Sequence, residues 1–134
     1  MANTKSIGVA FLDQDIKGAD FVYVEGGLGY TNAGFGTVTQ LTSRTTGVTL
    51  NKPSGEITMF TAAGASTAAT FTVTNSTVGA NDVVILNQKS GTNLYDLLVT
   101  EKVAGSFKLT FRTTGGTASD TPVFSFVVIK AAVA

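Results

Sequence analysis

The sequence predicts an all-β protein, and three observations support that prediction. Large apolar residues alternate with Thr, Ser or charged residues in several short segments, which is the period-two pattern of a half-buried strand. Clusters of Gly, Asn, Ser and Pro separate these segments at the short spacing typical of a β-sandwich. The one stretch with helix-favouring Ala content, residues 61–69, also contains Gly and Thr, so we predict a loop there with at most one helical turn.

The first three predicted strands, residues 37–42, 46–50 and 55–60, are rich in β-branched side chains and are separated by turn-forming residues. Pro53 suits the second position of the turn before the third of them. Within that third strand, Ile57 lies between a Glu and a Thr, which predicts one buried and one exposed face.

The next two predicted strands span residues 68–75 and 82–88. In the first, Phe71 and Val73 alternate with Thr, so only one face should be buried. The second contains the continuous apolar run 83–86, which predicts burial on both faces, by a second sheet, by the N-terminal residues or by a partner.

The last three predicted strands span residues 93–102, 106–113 and 122–130. Large apolar residues occupy every second position from Phe107 to Phe111, whereas the last strand is an almost continuous apolar run. Eight strands in two antiparallel sheets predict a sandwich of jelly-roll or related Greek-key type. From the alternation of inward and outward positions along each strand, we predict a core made of Phe71, Val73, Ile85, Phe107, Leu109, Phe111, Phe124, Phe126 and Val128.

The composition argues against several classes of function. Of the 134 residues, 43% are apolar but only 13% are charged, against roughly 25% in an average domain. The formal net charge is zero, which disfavours electrostatic binding of nucleic acid or an anionic membrane. The chain has no His and no Cys, so the commonest general base, thiol nucleophile and transition-metal ligands are missing. We therefore expect a non-enzymatic protein with no catalytic residues, cofactor, metal or small-molecule substrate, and with neither a signal peptide nor a membrane span.

A glycine-rich, uncharged stretch at residues 26–36 divides the chain into an N-terminal arm, 1–35, and a β-sandwich domain, 36–134. The arm contains two β-prone runs, at residues 7–11 and 21–24, which are too short to be stable alone. We expect the arm to become ordered by binding the edge of a partner. The predicted partner-binding residues are Ile7, Val9, Phe11, Phe21 and Tyr23.

Two motifs in this region resemble ligand-binding loops only superficially. Asp13 and Asp15 have the spacing that opens an EF-hand, but Lys17 and Val24 occupy positions that should supply oxygen ligands. The glycines at 26–36 lack the Gly-Lys-Ser/Thr of a phosphate loop. We interpret the first as exposed turn carboxylates and the second as a linker.

Three further motifs also have simpler explanations. Lys89 and Ser90 could form a Ser–Lys pair, but they are predicted to lie in a turn where nothing desolvates the lysine. Residues 75–77 match a glycosylation sequon that is more simply a turn. A basic stripe for single-stranded nucleic acid would need aromatic residues on the same face, and the parity places them on the opposite one. The residues of that stripe are Lys102, Lys108, Arg112 and Lys130.

Several turn-and-strand segments resemble a group of small structural proteins of tailed bacteriophages and prophages. The similarity covers most of residues 36–134, and the opening residues 4–10 also look like that group. The segments are residues 37–43, 46–59, 71–76, 103–107 and 126–131.

The resemblance implies a virion structural protein, first of all a decoration or cement protein on the capsid exterior. Its partners would be the major capsid protein and copies of itself, preferentially as a homotrimer. It would be made in the cytoplasm of the bacterial host and would act on the virion. A head or tail fibre component is the alternative, although no heptad or Gly-x-y repeat is present. A receptor- or glycan-binding module would require exposed aromatic residues, and the chain has no Trp and only three Tyr.

Overall fold

The computed structural model describes Tyr23 and residues 25–131, and these residues form an all-β fold. Within them the only helical element is a short 3-10 helix, Asn32–Gly34. Residues 61–69 form no helix, but the predicted loop is interrupted by a two-residue strand at Ala62–Ala63, and Ala69 begins a longer strand. The ten strands are β1 (Phe35–Thr39), β2 (Val48–Thr49), β3 (Ser54–Thr58), β4 (Ala62–Ala63), β5 (Ala69–Thr74), β6 (Val83–Ser90), β7 (Leu94–Val103), β8 (Ser106–Gly115), β9 (Ser119–Asp120) and β10 (Val123–Ile129).

The strands form two four-stranded sheets and one small ribbon. Sheet A has the order β1-β3-β10-β6, sheet B has the order β2-β5-β8-β7, and β4 pairs with β9. The β1–β3 and β2–β5 pairs are parallel, and every other pairing between described strands is antiparallel. The prediction of two antiparallel sheets is therefore wrong at these two edges. Turn spacing in the sequence does not determine which strands become neighbours, so the parallel pairs could not be predicted from it.

A single core lies between the inner faces of sheets A and B. Aromatic rings from the two sheets meet across it: the ring centroids of Phe107 and Phe126 lie 5.5 Å apart, and those of Phe111 and Phe124 lie 5.8 Å apart. Contacts at such distances and tilted angles are favourable beyond the burial of area. The other buried apolar residues of this core are Val48, Leu50, Ile57, Met59, Phe71, Val73, Val78, Leu109 and Val128.

The core prediction is confirmed for eight of its nine residues and is wrong for Ile85, which is 49% exposed. Strand β6 directs Val84 and Leu86 towards the core, so Val83 and Ile85 lie on the outer face. Because this strand begins with four consecutive apolar residues, the sequence does not show which of them face inward. The predicted burial of β6 on both faces is likewise not found among the described residues.

Strands β7 and β8 form a hairpin with a two-residue loop at Ala104 and Gly105. Gly105 has φ +86°, which side chains disfavour, so a glycine is required at this position of the turn. The main-chain amide of Gly105 donates to the carbonyl oxygen of Val78, and its carbonyl accepts from the amide of Asn75. The hairpin tip is thereby attached to the loop that follows β5.

Residues on both sides of the predicted arm boundary contact the sheets. Strand β1 begins at Phe35, and the hydroxyl of Tyr30 donates to the carbonyl oxygen of Val128 on β10. Ser54 Oγ donates to the carbonyl oxygen of Gly34 at 3.0 Å. The division of the chain at 35/36 stays a prediction, but a deletion designed to test it should end before Tyr30.

Candidate interaction surface

The outer face of sheet A carries a group of apolar side chains at one end. In register across the sheet, Phe35 of β1 lies opposite Ser54, Ser54 opposite Val127, and Val127 opposite Ile85 of β6. The next row pairs Ile129 with Val83. We call Phe35, Val83, Ile85, Val127 and Ile129 the apolar face.

Four of the five side chains of the apolar face are about half exposed. Phe35, Val83, Ile85 and Ile129 are each between 45% and 55% exposed. Single exposed apolar residues are common on protein surfaces, but a contiguous group marks an interaction site.

A groove adjoins the apolar face where residues 28–30 pass over the end of β10. It has a volume of about 610 Å³ and is lined by Leu28, Tyr30, Ser54 and residues 127–130. Leu28 is 84% exposed, although it is large and apolar. The groove therefore extends the apolar surface from sheet A onto the segment that precedes β1.

The two longest edge strands lie on the same side of the molecule. Strand β6 ends sheet A and β7 ends sheet B, and only residues 91–93 connect them. Two side chains on β7, Leu94 and Leu98, are more than half exposed. The opposite edges are shorter, with five residues in β1 and two in β2. A long edge with apolar side chains is prone to pair with another strand.

A separate feature of the structure is a buried polar network around Arg44. The guanidinium of Arg44 donates to the carboxylate Oδ1 of Asp120 at 2.8 Å and to the hydroxyl of Tyr95 at 2.9 Å. The side chains of Arg44 and Asp120 are only 10% and 4% exposed. The guanidinium also donates to the main-chain carbonyls of Phe60, Ala62, Ala63 and Asp120, so two of the three acceptors around its Nη2 nitrogen share one hydrogen.

Asp120 accepts hydrogen bonds on both carboxylate oxygens. Oδ1 accepts from Tyr95 Oη at 2.7 Å as well as from Arg44, and Oδ2 accepts from the amides of Thr92 and Asn93. Burial by itself raises the pKa of this carboxyl, but the hydrogen bonds outweigh it and hold the pKa at about 2. With every polar group partnered, we interpret the network as structural: it joins the β1–β2 connection to β7 and β9.

A second carboxylate, Asp82, joins the end of β10 to the loop before β6. Lys130 Nζ donates to its Oδ2, the amide of Gly79 donates to the same oxygen at 2.7 Å, and the amide of Ala131 donates to Oδ1. The hydrogen bond from Lys130, followed by that from Gly79, lowers the pKa of Asp82 to about 2. Lys102 Nζ donates to the main-chain carbonyl of the same aspartate.

Acid should destabilise the protein through these two aspartates. Their carboxyl pKa is about 2 in the folded state against 3.8 ordinarily, so they contribute stability above the unfolded-state pKa and lose it as the pH falls through the folded-state value. We expect the free energy of unfolding, measured by denaturant titration, to fall between about pH 4 and about pH 2.

Asp82→Asn should make that dependence on pH shallower. Asp96→Asn is the matched control, because Asp96 forms an exposed ion pair with Arg112. If Asp82→Asn kept the full acid dependence of the wild type, Asp82 would not contribute to it.

The basic residues considered as a stripe for nucleic acid lie in separate parts of the fold. Lys108 and Arg112 lie on β8 of sheet B and pair with Glu101 and Asp96, whereas Lys130 pairs with Asp82 beyond the end of sheet A. The structure therefore does not gather these residues into a basic stripe, in line with their interpretation as solvated charges on strand faces.

The structure also shows where the Lys89–Ser90 pair and the sequon at residues 75–77 lie. Lys89 and Ser90 lie at the end of strand β6 and not in the predicted turn. The ammonium of Lys89 pairs with Glu56, and the lysine side chain is 54% exposed, so it stays solvated. Asn75 is fully buried, and its side chain donates to the carbonyl of Lys52 and accepts from Thr77. A buried amide whose nitrogen and oxygen are both hydrogen-bonded is not an acceptor for a glycan in the folded protein.

Most of the predicted arm lies outside the described residues. This holds for the proposed partner-binding residues Ile7, Val9, Phe11 and Phe21, and for the Asp13–Asp15 motif. Tyr23 is described and is 89% exposed. Residues 25–29 are exposed as well.

The Arg44–Asp120 network was not predicted from the sequence, although a signal existed. Arg44 is the only charged residue between positions 26 and 51, and Asp120 is the only one between positions 113 and 129. Two isolated charges of opposite sign in uncharged stretches are candidates for a buried pair. Among the described residues, no group of His, Cys, Asp or Glu could hold a metal, and no helix is long and apolar enough to cross a membrane.

Comparison with protein families, curated proteins and solved structures gives no match. The described residues define the class at the level of architecture: an all-β protein built from two mixed four-stranded sheets, neither of them closed.

Proposed function

We propose that this chain is a bacteriophage virion structural protein that decorates the capsid exterior and stabilises the shell of the major capsid protein. The observation that carries the proposal is the uncovered apolar face on sheet A, in a chain with only 13% charged residues. A surface of this kind is suited to burial in an assembly. The resemblance of residues 36–134 to phage structural proteins supports the same assignment.

The strand order supports a β-sandwich of jelly-roll type as the finer description of the fold. Strand β3 pairs with β10, β5 pairs with β8, and the three residues 91–93 connect β6 to β7. These nested pairs are those of a long hairpin rolled around a core. On this view β1 and β2 are additions at the edges, which accounts for their parallel pairing.

The proposed mechanism is clamping of the shell. Each copy buries apolar side chains and main-chain groups against its neighbours, so opening of the shell must also break those contacts. Because the protein binds only the assembled state, mass action stabilises the shell by an amount that depends on affinity and occupancy. The virion exterior is then the site of action, after synthesis in the host cytoplasm.

The composition of purified virions tests this proposal. The molar ratio of this chain to the major capsid protein should be measured by quantitative mass spectrometry on particles of the phage that encodes it. A ratio near unity supports decoration. A ratio of a few per cent would assign the chain to a fibre or tail, and its absence from particles would reject a virion role.

Self-association should depend on the apolar face. We expect light scattering of the concentrated wild-type protein to show an oligomer, preferentially a trimer, and Ile85→Lys to dissociate it. Ile85 is half exposed, so this change should alter the free energy of unfolding by no more than about 1 kcal/mol.

Thr72→Lys is the control, because it adds the same charge on the exposed polar face of sheet B. A wild-type protein that is monomeric at high concentration would contradict a stable free oligomer. Equal dissociation by both variants would show that net charge is responsible, and not the apolar face.

A further inference from the structure

We propose that the edge of β6 binds an extended segment of a second copy, and that this segment is residues 7–11, Ile-Gly-Val-Ala-Phe. The inference rests on the proposed homo-oligomer and assigns the strand that receives the arm. It follows from the character of the β6 edge, from the pattern of residues 7–11 and from the course of the chain before β1.

Among the edges of the two sheets, β6 is the most suitable acceptor. Within the described residues it pairs only with β10, so the main-chain groups of its other edge have no strand partner. Its register with β10 is regular from Val83 to Gln88. Strand β7, by contrast, has register shifts at Leu94/Tyr95 and Val99/Glu101. Bulges of that kind disrupt the ladder and disfavour the addition of a strand.

The pattern of residues 7–11 complements this edge. Ile7, Val9 and Phe11 share one parity and would lie on one face of a strand, with Gly8 and Ala10 on the other. Placed beside β6, the large side chains would continue the outer face on which Val83 and Ile85 are half exposed. Cross-strand pairs of apolar residues stabilise an added strand, and the main-chain hydrogen bonds provide the rest.

The proposed homo-oligomer supplies the second copy, and the length of the chain before β1 allows residues 7–11 to reach it. A Cβ placed on Gly26 or Gly27 would meet no other described atom within 4 Å, so the chain is clear of its own sheets at these two residues, before residues 28–30 pass over the end of β10. From Gly29 to Phe11 an extended chain can span on the order of 60 Å. The radius of gyration of a domain of this size is only about 13 Å, so residues 7–11 can reach a neighbouring copy.

Disulfide trapping tests the inference directly, because the natural chain contains no cysteine. A chain carrying Val9→Cys is mixed with a chain of different tag size carrying Ile85→Cys, or Val83→Cys for the alternative register. The control partner carries Leu98→Cys, at a 60% exposed position on the edge strand of sheet B. Circular dichroism should first show that each variant is folded.

If the inference is correct, the heterodimer with β6 should form at least roughly tenfold faster than the one with Leu98→Cys, because docking raises the effective concentration of the two thiols. Equal rates with both partners would overturn it. A double variant, Val9→Cys with Ile85→Cys, that closes within single chains at low concentration would also overturn it in favour of docking on the same copy. If the chain is present in virions but the disulfide does not form, only this inference is rejected. If the disulfide forms specifically but the chain is absent from virions, only the proposed function is rejected.

Discussion

Asp120→Asn is expected to lower the free energy of unfolding by about 3–5 kcal/mol, because it breaks a buried ion pair on one side only. Both carboxylate oxygens of Asp120 accept hydrogen bonds, from Arg44 and Tyr95 on one and from two main-chain amides on the other. An asparagine can replace one of these oxygens, but its NH₂ group would face donors at the other. Arg44 would also keep its charge in a nearly closed site.

Denaturant titration at neutral pH measures this effect, and the exposed pair formed by Asp96 and Arg112 supplies the matched control. Asp96→Asn makes the same chemical change where solvent screens the charge, so it should cost no more than about 1 kcal/mol. If the two variants lost similar stability, the Arg44 network would not make the large contribution to the free energy of unfolding that its hydrogen bonds indicate.

Phe111→Ala is the second large effect, with an expected loss of about 3–5 kcal/mol. Phe111 is 5% exposed, and its ring contacts those of Phe71, Tyr95 and Phe124. Truncation would remove the contacts between the two sheets at that point and leave a cavity that rigid strands cannot close.

Thermal unfolding should show a decrease in the melting temperature of about 10 °C or more for Phe111→Ala. Leu98→Ala on the neighbouring strand is the control, because that side chain is 60% exposed and its loss opens no cavity. A melting temperature for Phe111→Ala within a degree or two of the wild type would contradict the central place of Phe111 in the core.

Strands with one polar face could be predicted in both position and orientation. On β5 and β8 the alternation of Thr or charged residues with Phe, Val and Leu identified the inward side chains, and the structure buries each of them. On β6 the run 83–86 is apolar throughout, so alternation carried no information there. The wrong prediction for Ile85 has this origin, and so does the failure to predict the exposed apolar face.

The candidate site could be predicted only in part, for a related reason. The low charge content and the apolar runs indicated a surface that requires a partner, but not which strands would be at the edges. The apolar face combines residues of β1, β6 and β10, which lie up to 94 positions apart in the chain, from Phe35 to Ile129. Only the register between these strands brings them into two adjacent rows.

The sequence by itself determined the all-β class, the turns and most of the inward-facing residues, because these depend on local backbone preferences and on a period of two. The tertiary structure alone decided the parallel edge pairs, the neighbours of each strand and the burial of Arg44 against Asp120. Those features depend on contacts between distant segments, whose free energy comes from packing and desolvation in the assembled core. No local pattern of residues encodes which distant strand will provide them.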